Sequence, residues 1–562
     1  MVISNKKTDL NSKKKIFHKD LISWARTKKI KFIIITGGVI SGLGKGVAIA
    51  SIGHLLSYDY KTIPIKCDGY LNVDPGTMNP VEHGEVFVLD DGSEVDMDFG
   101  HYERFLRTSC DGRQNLTMGK VFAELRDKER RGDFLGKTVQ MIPHATDFIK
   151  EWWLRLAKQK KAEIVLLEIG GTVGDMENEL YIEAARSLIN DLGRENVFFT
   201  HLTYIPIPKG VNEQKTKPTQ QSVSLLMKRG IIPDMILCRG EEKLTEKVRN
   251  KISLFCNVKK EAVLDAIDVD NIYKIPILLE EQGIVKIINK SLKLKAKPKL
   301  KEWKSAIKKK PQENITIAIA GKYTALEDSY ASVVEALNHA GTTINTKINI
   351  KWLDTESIDS NKKTRKLLEG VDGVIVPGGF GSRGIDGKLK VIEYCRTEKI
   401  PYLGICYGLQ LAVIEFMRNV CGYEKAHSTE VDPKTPVPVI DILPDKKNLT
   451  NLGGTLRLGA YKAKLLNNSL VKKLYDNKTE VYERHRHRFE VNPEYHCTLQ
   501  EKGMVFSGLS PDAELVEFIE LPADKHPYFV ATQAHPELKS KPLRPAPLFL
   551  GLVEASKKKK KR

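Results

Sequence analysis

Three residues scattered over the second half of the chain have the types that acyl transfer requires. Cys406 stands in "YLGICYGLQ", between an apolar run that reads as a strand and a stretch that reads as a helix. This is the tight elbow placement of G-x-S-x-G enzymes. A helix N-terminus lowers a thiol's pKa and favours the thiolate that attacks carbonyls. "ATQAHPEL" adds His535 and Glu537, a base and a carboxylate able to orient it. "VPGGFGSRG" adds a glycine turn whose N–H groups suit an oxyanion. A lone buried cysteine is ordinarily a small core residue, but the combination outweighs that reading.

A second chemistry is written near the start. "TGGVISGLGKG" follows "KFIIIT" and runs into "VAIASIGHLL", the strand, glycine turn and helix that cradle phosphate on backbone N–H groups. Its core is Ser41, Gly42, Leu43, Gly44, Lys45 and Gly46. The standard phosphate-loop pattern is broken twice, by Val39 in place of the first glycine and by Gly46 in place of the Ser or Thr that holds magnesium. Magnesium takes hard oxygen ligands, typically one or two carboxylates. Asp96 and Asp98 in "EVDMDFGHYERF" and Glu168 in "LLEIGGTVGDMEN" are the candidates, so the missing ligand is expected from distant strands. "VNEQKTKPTQQSV" places Lys215 and Lys217 around Thr216, with Pro218, Thr219 and Gln220 opening a helix, an arrangement suited to a second polyphosphate. Two such loops in one domain predict phosphoryl transfer between ATP and another nucleotide.

Positioning these groups requires layered α/β architecture. "KFIIIT", "TIPIKC", "EIVLLEIG", "VFFTHLTYIP" and "DMILCRG" read as buried strands separated by helical stretches such as "MENELYIEAARSLIN". "ITIAIAGKY", "INIKWLD", "GVIVPGG" and "PYLGIC" repeat that alternation later, and "YFVATQAHPEL" adds a further strand. Such alternation predicts parallel sheets covered on both faces, with ligands at the strands' C-terminal ends. At 562 residues the chain is too long for one core, and the lysine-rich, proline-interrupted stretch 290–311 is the expected boundary. No apolar run has the length of a membrane span. The eight cysteines contain no CxxC pair and read as reduced thiols of a cytoplasmic protein. Much of the +19 net charge lies in lysine blocks at both ends and around 290–311. They lack the interleaved aromatics of nucleic-acid binders and read as solvated tails and a linker.

Taken together, "GGVISGLGKG", "NVDPGTMNPVEHGEVFV", "GHYERF", "GGTVGD", "KTKPTQ", "GICYGLQ", "GGTLRLG" and "ERHRHRFEVN" resemble the CTP synthase family over residues 30–553. The second half by itself resembles the triad (class I) glutamine amidotransferases. The resemblance implies a P-loop-like, dethiobiotin-synthetase-like synthase domain at 30–289 and a flavodoxin-like amidotransferase domain at 313–553. A basic extension (1–29), a linker (290–312) and a basic tail (554–562) complete the expected order. The implied reaction is ATP-dependent amination of UTP to CTP, through a 4-phosphorylated UTP, with ammonia from glutamine.

By motif, Cys406 is the nucleophile, His535 the acid/base and Glu537 its orienting partner. Gly379 and the backbone of Tyr407 form the oxyanion hole, and Gly408, Leu409, Gln410, Glu430 and Arg488 complete the glutamine site. Residues 41–46 and Lys66 contact nucleotide phosphates, and Asp98 and Glu168 hold Mg2+. Asp175, Met176, Glu177, Lys215 to Gln220, Lys251 and Val269 resemble the remaining nucleotide contacts, shared by UTP and the inhibitor CTP. The family further implies GTP activation, homotetramers and filaments. Gly69 in "CDGY", Tyr407, Ala534, Leu538 and the proline-free "GDMENELY" depart from its usual pattern.

Overall fold

The computed structural model describes residues 18–78, 84–309, 311–322, 327–379, 381–442 and 456–561. Residues 1–17 of the basic start, 79–83 of "VDPGTMNPVEHGEV", Phe380 and 453–455 of "GGTLRLG" therefore lie outside the described residues. The chain divides into two compact units: residues 1–73, 106–108 and 113–299, and residues 74–105, 109–112 and 300–562.

The first unit is built on β1 (Lys31–Gly37), β2 (Thr62–Asp68), β3 (Asn115–Thr117), β4 (Ile164–Ile169), β5 (Val197–Tyr204), β6 (Met235–Gly240) and β7 (Val263–Ile267). They form one sheet in the order β3-β2-β4-β1-β5-β6-β7, and every neighbouring pair is parallel. The expected strands are therefore present. β1 and β4 are buried along their whole length, which is why they read as continuous apolar runs and do not alternate. Helices including Lys45–Leu56, Thr146–Lys160 and Glu179–Leu192 alternate with the strands and bury Trp153 and Tyr181. Register does chemical work: Lys66 and Glu168 are direct partners across β2 and β4, and Ile35 pairs with Glu168 across β1 and β4.

The second unit carries a nine-stranded sheet. Its strands are β8 (Glu313–Gly321), β9 (Thr346–Asp354), β10 (Gly373–Val376), β11 (Tyr402–Ile405), β12 (Arg457–Leu465), β13 (Glu480–His487), β14 (Val505–Leu509), β15 (Val516–Glu520) and β16 (Phe529–Thr532). The order is β9-β8-β10-β11-β16-β15-β14-β12-β13. It is parallel as far as β16 and antiparallel beyond. The segment 74–105 joins this unit through charge pairs: Arg484 meets Asp90 at 2.7 Å and Glu103 at 2.8 Å, and Arg486 meets Glu94 at 2.7 Å.

The lysine block at 5–15 lies outside the described residues, whereas apolar residues beside and between the other lysines are buried although most of those lysines stay exposed. Helix His18–Lys28 buries Leu21 and Ala25 completely or nearly so, and burying one leucine is worth about 1.5–3 kcal/mol. Around the linker, Leu292 and Ala296 are buried in the first unit, and Leu300, Trp303 and Ile307 in the second. The final lysines continue helix Pro547–Lys560, where Lys559 donates to the Val371 carbonyl (2.9 Å) and Lys557 pairs with Glu313 (2.5 Å). Apolar residues interspersed among the lysines outweigh the solvation of the charges, because long amine stems lie along apolar surface while their heads reach carbonyls. Among the described residues no helix is long and apolar enough to cross a membrane.

Candidate active sites

The thiol centre forms where β11 ends. Cys406 adopts φ 51°, ψ −101° and starts helix Tyr407–Asn419, a strained turn for a residue with a Cβ. The turn is anchored by Cys406 N–H donating to the Thr532 carbonyl at 2.7 Å, and by Leu409 N–H donating back to the Cys406 carbonyl at 3.0 Å. Close packing beneath demands glycine: a Cβ on Gly408 would lie 2.1 Å from the Val376 carbonyl oxygen.

β16 ends beside it and delivers His535 and Glu537, whose Nδ1···Oε1 distance is 2.7 Å. Burial opposes charge on the imidazole, but Glu537 and the Cys406 sulfur more than reverse this and carry His535 up to about 10. His535 therefore holds a proton at neutral pH, beside the Cys406 sulfur that helps to hold it there. That is an imidazolium placed to stabilise a thiolate and then to protonate a leaving amine. Gly378 passes so close that a Cβ there would sit 2.9 Å from His535 Cε1.

A cavity of about 630 Å³ opens onto Cys406, His535, Gly378, Gly379, Glu430 and Arg488. Glu430 accepts a hydrogen bond from Gly381 N–H at 2.8 Å, and burial raises its pKa while Gly381, Lys322, Arg488 and Lys388 hold it down. Tyr407 and Leu409 are buried on the first helical turn. Gln410 is turned into the protein, donating to the Phe489 carbonyl at 2.8 Å and to Gln533 Oε1 at 3.3 Å. Gln533, which the sequence reading passed over, also donates to Cys406 Sγ at 3.7 Å. Its only sequence signal is its place in "ATQAHPEL".

The phosphate loop forms at the end of β1 in the first unit. Gly42 and Gly44 take left-handed φ of 71° and 88°, and Gly44 leads into helix Lys45–Leu56. Lys45 donates to the Gly171 carbonyl at 2.7 Å, tying the loop to "GGTVGD". Gly38 approaches helix Lys217–Lys228 so closely that a Cβ would lie 1.6 Å from Ser222 Oγ. The two expected phosphate loops are thus neighbours in this unit. His201, fully buried, bridges Thr36 (2.9 Å) and Ser222 (2.8 Å), and burial followed by Lys45 pushes its pKa down to about 3. It is a neutral strut that the sequence reading missed.

At the ends of β2 and β4, Lys66 pairs with Glu168 at 3.0 Å and with Asp68 at 3.8 Å. Asp68 was not foreseen as a site residue. Asp98 heads helix Asp98–Phe105 of the second unit, its N–H donating to Asp96 at 2.9 Å. Among the described residues no cluster of three His, Cys, Asp or Glu side chains with metal-binding geometry is present. Asp175 caps the "GGTVGD" turn, accepting from Thr172 N–H at 2.8 Å, whereas Met176 and Glu177 are exposed.

Lys215 pairs with Glu213 at 2.7 Å, and Lys247 and Lys251 add positive field to the same carboxylate. Thr216 precedes the helix and accepts from Gln220 at 2.9 Å, with Pro218 in the first turn. Thr219 is fully buried, accepts from the Thr203 hydroxyl at 3.1 Å and donates to the Tyr204 carbonyl at 3.4 Å, so its hydroxyl serves the fold. Val269 lines an apolar cavity of about 210 Å³ with Leu43, Gly44, Leu237 and Ile272, beside the loop and of a character suited to a nucleobase. Arg239 closes its rim, donating to the Gly42 carbonyl at 3.1 Å and to Asp268 at 2.9 Å.

The departure at Gly69 has a steric reason, since a Cβ there would stand 2.7 Å from Glu177 Cβ and 2.8 Å from the Glu177 carbonyl. Neither proline nor alanine fits while "GDMEN" runs this close.

Residues 31–294 match the family described as CTP synthase N-terminus, and residues 325–555 the family described as glutamine amidotransferase class-I. The CTP synthase of Pyrococcus furiosus is 54% identical over 535 residues, covering 94% of this chain and 98% of its own. That of Methanocaldococcus jannaschii is 50% identical over 539 residues, covering 94% and 99%. Among solved structures, the glutaminase domain of a Trypanosoma brucei CTPS with bound acivicin is 36% identical and covers 43% of this chain and 94% of its own, with a TM-score of 0.41.

Proposed function

This chain belongs to the CTP synthase family, and on that premise we propose how its residues carry out the family's reaction. The reaction is ATP-dependent amination of UTP to CTP with glutamine as nitrogen donor, a carbon–nitrogen ligation of pyrimidine biosynthesis.

In the amidotransferase half, the Cys406 thiolate attacks the glutamine amide carbon. The oxyanion is met by N–H groups of Gly379 and Tyr407 at the helix start. His535 passes its proton to the departing nitrogen, which leaves as ammonia, and the glutamyl thioester is then hydrolysed. Glu430 and Arg488 complement the substrate's α-ammonium and α-carboxylate, and Gly408, Leu409 and Gln410 hold the turn that presents the sulfur.

In the synthase half, residues 41–46 and Lys66 hold polyphosphate, and the apolar cavity at Val269 receives a base. Lys215, Lys217 and Lys251 grip the triphosphate that UTP and CTP share, with Asp175, Met176 and Glu177 bordering that site. ATP phosphorylates O4 of uracil, and ammonia then displaces phosphate at C4. Uracil O4 is a poor leaving group until it is phosphorylated.

Glu168 suits Mg2+ as a buried hard oxygen ligand at a strand end beside the loop, and the family motif assigns Asp98, on the second unit, to the same ion. Such an ion neutralises developing phosphate charge. GTP activation, CTP feedback, homotetramers, filaments and a cytoplasmic setting belong to the same reading.

The observation that carries it is the Cys406–His535–Glu537 chain at adjacent strand ends. The test is Cys406→Ala: CTP formation from glutamine should vanish while formation from supplied ammonia stays near wild type. Loss of both in a folded variant would overturn the division of labour.

A further inference from the structure

Helix Ile385–Thr397 buries Lys388 without exposing any of it, and its Nζ has no hydrogen-bond partner among the described residues. An unpartnered buried ammonium is costly, so a thermodynamic reason for keeping it is required. The surroundings supply one. Nζ lies 5.1 Å from the centroid of the Tyr407 ring, a cation–π distance. It also stands 3.9 Å from where a Cβ on Gly379 would be, under the oxyanion turn. The Tyr407 hydroxyl donates to the Gly381 carbonyl at 3.1 Å, and Gly381 N–H donates to Glu430 at 2.8 Å. Tyr407, Lys388 and Glu430 are thus three sides of one loop.

The charged groups facing the ammonium are Lys322, which repels it, and Glu430, which attracts it. Arg488 faces Glu430, and Tyr407 caps the amine as a neutral phenol. Burial, reinforced by Lys322, brings Lys388 down to about 7, so the charge is held on the edge of loss.

We propose that Lys388 is a positioning residue for glutamine: its ammonium, capped by Tyr407, joins Lys322 and Arg488 in keeping Glu430 anionic so that Glu430 can take the substrate's α-ammonium. This rests on the reading of Glu430 as part of the glutamine site. It also gives the tyrosine of "GICYGLQ" a role, as lid to the buried cation and tether of the turn.

Lys388→Met keeps most of the unbranched side chain and removes the charge. The expected result is a glutamine KM raised about tenfold, within the range of a charge-assisted contact, with kcat and ammonia-dependent synthesis within about twofold. The acid limb of kcat/KM for glutamine should move to higher pH, because Glu430 without the cation keeps its proton longer. Thermal stability should rise, since an unsatisfied buried charge has been replaced by an apolar group. Lys388→Arg, which retains a cation, should lie between the two. Glu430→Gln is measured alongside.

If Glu430→Gln raises the KM and Lys388→Met does not, the proposal falls and the glutamine-site reading stands. If Glu430→Gln leaves the KM unmoved, both fall. A fall in melting temperature with loss of both nitrogen routes in Lys388→Met would show a merely structural lysine and overturn the proposal.

Discussion

The thiol centre and the phosphate loop sit at equivalent places, the C-terminal ends of parallel strands, yet they are finished to different degrees. At the thiol centre Cys406 and Glu537 are buried and His535 is largely so, and partners are already in contact: His535 on Glu537 at 2.7 Å, Gln533 on Cys406 at 3.7 Å. Around the phosphate loop Lys45, Lys66 and Glu168 are buried, but other candidate ligand groups are open. Val39 and Ile40 are exposed at the turn, Met176 is 87% exposed, and Lys215, Lys217 and Lys251 lie partly or fully in solvent.

Substrate size and charge account for the contrast. Glutamine is small, so the protein must supply the geometry and electrostatics of acyl transfer itself. Nucleotide triphosphates are large polyanions that bring enough binding energy to order exposed lysines around them. What the protein does prepare on that side is backbone: glycine φ angles, Lys45 on Gly171, and the neutral His201 strut.

Disabling one region while reading the other gives the largest effect. Glu168→Gln should reduce CTP formation from either nitrogen source at least about a thousandfold, while glutamine hydrolysis at the thiol centre continues. CTP formation from ammonia surviving at ordinary magnesium levels would show that Glu168 is no primary ligand.

Next in size is Glu537→Gln, expected to lower the glutamine-dependent kcat about a hundredfold or more and to leave the ammonia route alone. It also tests charge. The folded pKa of His535, about 10, lies above its ordinary value of 6.5. Protonated His535 therefore contributes stability that is complete below pH ~6.5 and fades as pH rises through about 10. Melting temperatures of wild type and Glu537→Gln should differ most around pH ~6.5 and converge as pH rises toward about 10. Parallel curves would mean that the imidazolium is not held by Glu537.

The smallest effect belongs to the open lysines. Lys215→Ala should raise the UTP half-saturation and the CTP inhibition constant together, by roughly tenfold, as for a triphosphate grip blind to the base. A UTP effect without a CTP effect would place the inhibitor elsewhere.

The chemistry of both regions was legible along the chain because it is local. Strand, glycine turn and helix are encoded by residues within a dozen positions of one another, so residues 41–46, Cys406, and the "HPE" of His535 and Glu537 all stand where the pattern puts them. Buried parallel strands were equally plain, since being covered on both faces makes them continuously apolar. What tertiary structure decided is whatever depends on proximity between distant segments. Ser222 explains Gly38 and Glu177 explains Gly69 only once the turns are brought together.

Asp68 was invisible as a site residue until sheet register set Lys66 against Glu168. The lysine-rich linker and final helix read as solvated because charge is conspicuous in composition, whereas Trp303 and Val553 show their burial only against a partner surface. Lys388 looked like any helical lysine, and the absence of a partner for its amine among the described residues is a property of the packed environment alone. A sequence records which groups are present and how they repeat. Which of them share a dielectric, a contact or a field is settled when the chain closes on itself, because those energies fall off within a few ångströms.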